Sequence, residues 1–337
     1  MFYFLVAFIL SVGFTFLIKK VALKLSIVDR PDGGRHLHSK PTPLLGGVAI
    51  FIAFWSIILY LIVYHPIRGI DIIQNSVVLA FFSSFIILLI GIADDIRPFA
   101  AKFRLPMVAV AVFVLAGYAP WLTKLTNPLG GYIELGQLAA GAIIFCWLMG
   151  TTYTIKILDG LDGLATGIVS IGAFIILLLA SITKFYQPNV ALIASVFLGA
   201  CLGFLVFNFY PAKIFLGESG SMFIGFMIGV LAIIGGGKLA TALLVMAIPI
   251  FDLARVMYVR LRKHQPLSMG DREHLHFRLV DSGLSQRKAV LLMYVLALAF
   301  GLATLFLQSL QKFYALLVLL IMMAFISRSL GRKDLIN

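Results

Sequence analysis

In the stretch KILDGLDGLATG, Lys156 to Gly167, two carboxylates stand three residues apart and each is followed by glycine. On a helix that spacing puts Asp159 and Asp162 on one face. The amides that open the apolar run behind them favour negative charge, and Gly160 and Gly163 let other groups approach the backbone closely. An ordinary N-cap and turn accounts for one aspartate easily and for two with less ease. A second pair, Asp94 and Asp95, ends an apolar run in GIADDIRPFAAKFR, Gly91 to Arg104. A helix C-terminus disfavours carboxylates, so this pair needs a compensating cation, either Arg97, Lys102 or Arg104 or a metal ion. FNFYPAKIFLGESGS, Phe207 to Ser221, offers Asn208 and Lys213 as donors, Pro211 as a helix breaker, and Glu218 at the mouth of the next helix. Glu218 is a candidate metal ligand or a capping acid. Carboxylates gathered in one place raise one another's pKa unless cations intervene. A divalent metal with Lys or Arg beside it is the natural remedy.

The cations have their own pattern. In GDREHLHFRL, read as an extended segment, residues two apart share a side, so Arg272, His274, His276 and Arg278 form one row. Such a row suits a diphosphate. It also suits a surface loop that meets lipid headgroups, whereas a zinc site lacks a third ligand at metal spacing. The early loop DRPDGGRHLHSKPTPLLGG carries Arg30, Arg35, His36, His38 and Lys40 among turn formers, and membrane topology alone predicts basic residues there. Asp252, in PIFDLARV, falls about two helical turns before the end of its apolar run. It is expected to face the protein interior and pair with Arg255 or Arg260.

These motifs sit in a chain that is 61% hydrophobic and 12% charged, with a mean hydropathy of +1.06. That balance lies far from soluble globular domains, and apolar runs of about 20 residues recur along the whole length. The expectation is one polytopic all-α membrane domain over residues 1–337. Eleven spans are expected, near residues 2–18, 46–64, 74–93, 105–121, 137–155, 163–183, 189–207, 221–235, 239–258, 289–306 and 313–327. The first run lacks a preceding basic stretch and a small-residue cleavage site, so it reads as a retained helix. With the N-terminus outside, alternate loops leave only Arg68, Lys124, Lys184, Lys238 and Lys312 outside, and the other 22 of 27 basic residues fall inside. This matches the positive-inside bias and puts the C-terminus in the cytoplasm. Among the 14 acids only Asp71 and Glu134 fall outside. The site is therefore expected on the cytoplasmic face, next to anionic headgroups, where a net charge of +13 attracts an anionic substrate. No basic domain stands clear of the membrane to take nucleic acid. Cys146 and Cys201 read as small core residues.

A carboxylate within a span costs roughly 2.5 kcal/mol or more, so such residues usually mark function. A cation-coupled transporter would also use them, but transporters keep binding groups near the bilayer midplane within internal repeats. Here no repeat is apparent and the polar motifs line one face. A structural or lipid-binding protein leaves the acids without a purpose.

Taken in order along the chain, the motifs resemble those of the polyprenyl-phosphate N-acetylhexosamine-1-phosphate transferase family, the group that includes WecA, TagO and MraY. They are D-x-P with a following Arg and His (Asp29, Pro31, Arg35, His38), P-L-x-G-G (Pro43–Gly47), the pair Asp94 and Asp95, and D-G-x-D-G-L (Asp159–Leu164). F-N-x-x-P-A-K-x-F-x-G (Phe207–Gly217), P-I-F-D (Pro249–Asp252) and H-L-H (His274–His276) follow. The P-L-L-G-G form and the span count point to the WecA-like branch. The resemblance implies transfer of N-acetylglucosamine 1-phosphate from UDP-N-acetylglucosamine to undecaprenyl or another polyprenyl phosphate, with release of UMP. Other UDP-N-acetylhexosamines and UDP-MurNAc-pentapeptide are the alternative donors. It implies a cell inner-membrane enzyme of envelope polysaccharide synthesis that uses Mg2+ or Mn2+, and a homodimer is one expected form. By carry-over, Asp94 and Asp95 are catalytic, and with Glu218 they hold the metal. Asp159, Asp162, Asn208, Lys102, Arg104, Arg35, His38, Asp252, His274, His276 and Arg278 bind substrates, and Lys156, not matched by the family pattern, is expected to supply a phosphate or uracil contact instead. The chain departs from the pattern at Tyr153 and Lys156, where the family commonly has Asn, at Glu218, where it usually has Asp, and at Phe277, where a further His is usual.

Overall fold

The computed structural model describes residues 1–31, 40–64, 71–117, 122, 124–127, 131–182, 186–235, 239–266, 273–307 and 309–333. The chain folds as a bundle of helices with two short ribbons. In order these are α1 (Phe2–Lys24), β1 (Val28–Asp29), β2 (Thr42–Pro43), α2 (Gly46–Tyr64), α3 (Asp71–Ile96), α4 (Ala101–Gly117), β3 (Lys124–Thr126), β4 (Tyr132–Glu134) and α5 (Gln137–Leu158). They continue as α6 (Leu164–Ser181), α7 (Pro188–Asn208), α8 (Gly217–Ile234), α9 (Leu239–Val245), α10 (Ala247–Arg262), α11 (Leu275–Asp281), α12 (Gln286–Phe306) and α13 (Ser309–Lys333). Both ribbons are antiparallel, β1 pairing Val28 with Pro43 and β3 pairing Leu125 with Ile133. Helices dominate because a chain inside lipid must satisfy its own backbone groups.

Among the described residues, eight helices are long and apolar enough to cross a membrane: α1, α2, α3 from Ser76, α5, α6, α7, α8 and α12. The protein is thus an all-α, multi-pass membrane protein. Three of the eleven expected spans take another form. α4 has 17 residues, and the apolar part of α13 runs over Leu310–Met323. The expected span at 239–258 is two helices that meet at Met246, where the backbone leaves the helical region. The cause lies in the sequence. Pro249 has no N–H to donate to the carbonyl of Val245 four residues earlier, so the ladder is interrupted where α9 ends.

The core is built on α8. It is 83% buried, more than the other seven helices long enough to span among the described residues, and it packs on α2, α3, α5 and α6. Small residues set these approaches, as expected where helices associate by close packing in lipid. A Cβ on Gly47 of α2 would stand 2.2 Å from Cα of Gly220, and one on Gly91 of α3 would stand 2.3 Å from Cα of Ser219. On the far side, α1 lies along α7, where the Ser11 hydroxyl donates to the Ala200 carbonyl at 2.6 Å. Because α3 and α2 are drawn onto the first turn of α8, the end of α3 that carries Asp94 and Asp95 is delivered to the mouth of α8.

Candidate active site

The site gathers at the bundle end where α3, α5 and α7 finish and α4, α6 and α8 begin. Asp95 caps α8. Its Oδ1 accepts from the Glu218 amide at 2.7 Å, and its Oδ2 accepts from the Ser219 amide at 3.2 Å and the Ser219 hydroxyl at 2.6 Å. A carboxylate at a helix C-terminus is expected to need a cation. The structure compensates Asp95 instead with the positive N-terminus of α8. Gly217 makes that possible. Its φ is +75°, and a Cβ there would lie 2.6 Å from Asp95 Oδ2.

Asp94 is buried and does take a cation. Its Oδ1 accepts from the Phe99 amide at 2.9 Å, and its Oδ2 is ion-paired to the Arg104 guanidinium. Arg104 also reaches Glu218 Oε1 at 3.4 Å, and Lys156 Nζ stands 2.9 Å from that same oxygen. A continuous chain of charge therefore runs Asp94, Arg104, Glu218, Lys156. Glu218 Oε2 is buried with no hydrogen-bond partner among the described residues. Asp159 lies just beyond α5. Burial, followed by repulsion from Glu218 and Asp95, pushes its carboxyl up to about 8, so it keeps a proton at neutral pH.

Other expected site residues hold the framework. Asp162 Oδ2 accepts from the Ala212 amide at 2.9 Å and so fixes the connection between α7 and α8. Asn208 is buried, donates to the Ile214 carbonyl at 3.1 Å and accepts from the Thr166 hydroxyl at 3.2 Å. Lys102 is exposed, its ammonium 5.1 Å from the Phe103 ring centroid. Arg35 and His38 lie outside the described residues, as does Arg272.

The His-Leu-His segment departs from the expected extended form. It is not extended beyond His274. The amides of Phe277 and Arg278 bond back to the His274 carbonyl, and helix α11 follows. Over the described residues His274, His276 and Arg278 the expected alternating row therefore does not form. The physical reason is that Leu275, Phe277 and Leu279 are buried as well as His274 and His276, which a one-sided strand does not allow. Asp252 organises this segment. Its Oδ2 meets His274 Nδ1 at 2.9 Å and accepts from the Leu275 amide at 3.0 Å, while its Oδ1 pairs with Arg255 at 3.2 Å. The pairing with Arg255 was one of the two expected. His276 is packed against Gly160, where a Cβ would stand 2.6 Å from its Nε2. Burial holds the His276 imidazole far below the usual range, at about 3, so it is neutral. Gly160 thus serves the close approach of α11 to the aspartate turn.

Ser219 and Tyr294 were not singled out beforehand. The first holds Asp95, and the second donates its hydroxyl to the Gly163 carbonyl at 2.5 Å. The small-residue run GESGS could have flagged Ser219, since a hydroxyl in a helix's first turn often serves a cap. No local signal points to Tyr294.

Asp94, Asp95 and Glu218 do come together, but both oxygens of Asp94 and of Asp95 are taken by protein donors, and Oε1 of Glu218 is shared by two cations. No three His, Cys, Asp or Glu side chains among the described residues are placed to hold a metal. Mg2+ usually takes one or two carboxylates with octahedral geometry. Glu218 Oε2, one oxygen of a carboxylate whose Oε1 already meets Lys156 and Arg104, does not make such a site.

Comparison with known proteins follows the same line. Residues 76–236 match the family model described as glycosyl transferase family 4. The chain is 32% identical over 349 residues to a Bacillus subtilis protein named "Probable undecaprenyl-phosphate N-acetylglucosaminyl 1-phosphate transferase", covering 99% of this chain and 92% of that one. It is 32% identical over 318 residues to decaprenyl-phosphate N-acetylglucosaminephosphotransferase of Mycolicibacterium smegmatis, covering 85% and 77%. It is 30% identical over 214 residues to phospho-N-acetylmuramoyl-pentapeptide-transferase of Streptococcus agalactiae, covering 60% and 62%. Full-length similarity, the ordered motifs and their convergence at one end of the bundle agree: the chain belongs to the polyprenyl-phosphate N-acetylhexosamine-1-phosphate transferase family.

Proposed function

We propose that the protein transfers N-acetylglucosamine 1-phosphate from UDP-N-acetylglucosamine to a polyprenyl phosphate, of undecaprenyl length or similar, at the cytoplasmic face of the inner membrane. The names of the relatives at 32% identity support the sugar and the lipid. The orientation rests on the basic loops, with the N-terminus outside, the C-terminus in the cytoplasm, and α4, the α9–α10 pair and α13 counted as spans to make eleven. In this reading an oxygen of the lipid phosphate attacks the β-phosphorus of the donor. A new P–O bond forms as the bridging P–O bond breaks, and its electron pair leaves with UMP. No carbon–oxygen bond of the sugar is touched.

In phosphoryl transfer, positioning and charge neutralisation supply most of the catalysis. The observation that carries the reading is the run Asp94, Arg104, Glu218, Lys156, two acids that orient two cations at the bundle end where the motifs converge. Asp94 fixes the guanidinium, Asp95 fixes the start of α8, and Glu218 aims the ammonium. Protonated Asp159 adds no negative charge where a diphosphate approaches. Asp252 holds the His274 ring in place through Nδ1. The test is Arg104→Gln. UMP release is expected to fall by about 100-fold or more, the scale for loss of one preorganised charge donor. A wild-type rate in that variant would remove Arg104 from the chemistry.

A further inference from the structure

Two cations meet at one carboxylate oxygen. Lys156 Nζ and Arg104 stand 2.9 and 3.4 Å from Glu218 Oε1. Both members of the shorter pair are positions where the chain departs from the pattern it otherwise resembles, and Tyr153, another departure, lies within electrostatic reach of Arg104 and Glu218. Three of the four departures, Tyr153, Lys156 and Glu218, thus form one cluster. They add a positive charge at Lys156 and a longer acid at Glu218 that reaches it.

We propose that the Lys156 ammonium is this protein's built-in cation for the donor diphosphate, so that transfer proceeds without an added divalent metal. The inference rests on the transferase reading above. Lys156 is only 16% exposed at its side chain and Glu218 31%, so the pair is sheltered but reachable from the site mouth. An ammonium has three donors. One is engaged by Glu218, and the Asp159 carboxyl lies within electrostatic reach, which leaves two donors for phosphate oxygens. Lysine binds phosphate as a point charge, without the planar fork of arginine. Arg104 supplies the fork beside it, fixed by Asp94. A divalent ion that approached Glu218 would meet both positive charges, of which Lys156→Asn removes one.

The experiment has two readouts on the full-length protein in detergent. The first is UMP release from UDP-N-acetylglucosamine and polyprenyl phosphate, in EDTA and in Mg2+, for wild type, Lys156→Asn and Lys156→Asn/Glu218→Asp. Wild type is expected to change by less than about threefold between the two conditions, while the double variant becomes dependent on Mg2+ by about 30-fold or more. The second is Mn2+ binding to substrate-free protein, read by electron paramagnetic resonance. Wild type is expected to leave Mn2+ free at roughly millimolar metal, and the double variant to bind it. Wild-type activity that EDTA abolishes and Mg2+ restores overturns the proposal, and needs no variant to fold. If folded wild type releases no UMP under any condition, the transferase reading falls. The Mn2+ readout then still decides the cation site: binding by wild type overturns it, and binding by the double variant alone sustains it.

Discussion

Gly217→Ala is a one-atom test of how the site is assembled. Gly217 has φ +75°, a left-handed conformation that costs a residue with a Cβ about 1–2 kcal/mol. The added carbon would stand 2.6 Å from Asp95 Oδ2 and 2.9 Å from Oδ1. The carboxylate must move, and it is the acceptor for the Glu218 amide, the Ser219 amide and the Ser219 hydroxyl. Hydrogen bonds to a charged group contribute roughly 1.5–3 kcal/mol each. Loss of one of them plus the backbone cost predicts a destabilisation of about 3–5 kcal/mol. Gly131→Ala is the control. It has the same φ of +75° with nothing within 4 Å of the new carbon, so it carries the backbone cost alone, about 1–2 kcal/mol. Thermal unfolding of the two variants in the same detergent separates the terms. Gly217→Ala is expected to melt well below Gly131→Ala and to lose UMP release, because Glu218 and Asp95 shift together. Equal melting temperatures would refute the claim that Asp95 joins α3 to α8.

Asp252→Asn removes the charge that pairs with Arg255 and meets His274, in a buried setting where losing one partner costs about 3–5 kcal/mol. Its thermal midpoint is expected to fall and its KM for the nucleotide-sugar to rise, and unchanged values for both would deny Asp252 its organising role. His276 gives a pH signature. Its folded pKa of about 3 lies below the ordinary 6.5, so below pH 6.5 the unfolded chain takes up a proton that the folded one refuses. The contribution of this group to stability is complete above pH 6.5 and declines by about 1.4 kcal/mol per pH unit as pH falls toward 3. Replacing His276 with Gln should flatten that slope in melting curves between pH 6.5 and 5, and parallel slopes would contradict the buried neutral imidazole.

Much of this architecture is readable in the residue order, for physical reasons. Apolar runs such as Gly46–Tyr64 and Pro188–Asn208 appear as helices over nearly the expected bounds, because lipid leaves a spanning chain few other choices. Pro249 held the information for the break between α9 and α10, yet hydropathy averaged over a window passes across it. The segment from His274 to Leu279 enters a helix despite its alternation, because alternation of charged and apolar residues describes a half-buried strand only when one side meets solvent. Here both histidines and the apolar residues between them are buried. At the site, the residues were legible and their partners were not. Asp95 bonds across 124 positions to Ser219, and Asp162 across 50 to Ala212. Pairings of that range are set by which helices pack together, here by Gly47, Gly91 and Gly220, and no local pattern announces them.

The most direct measurement is UMP release by the purified full-length protein, with polyprenyl phosphate present or omitted and a panel of UDP-sugars in separate reactions. UMP that forms only when the lipid is present, and fastest with UDP-N-acetylglucosamine, is the predicted result. Folded protein that forms no UMP with any donor would contradict the transferase assignment.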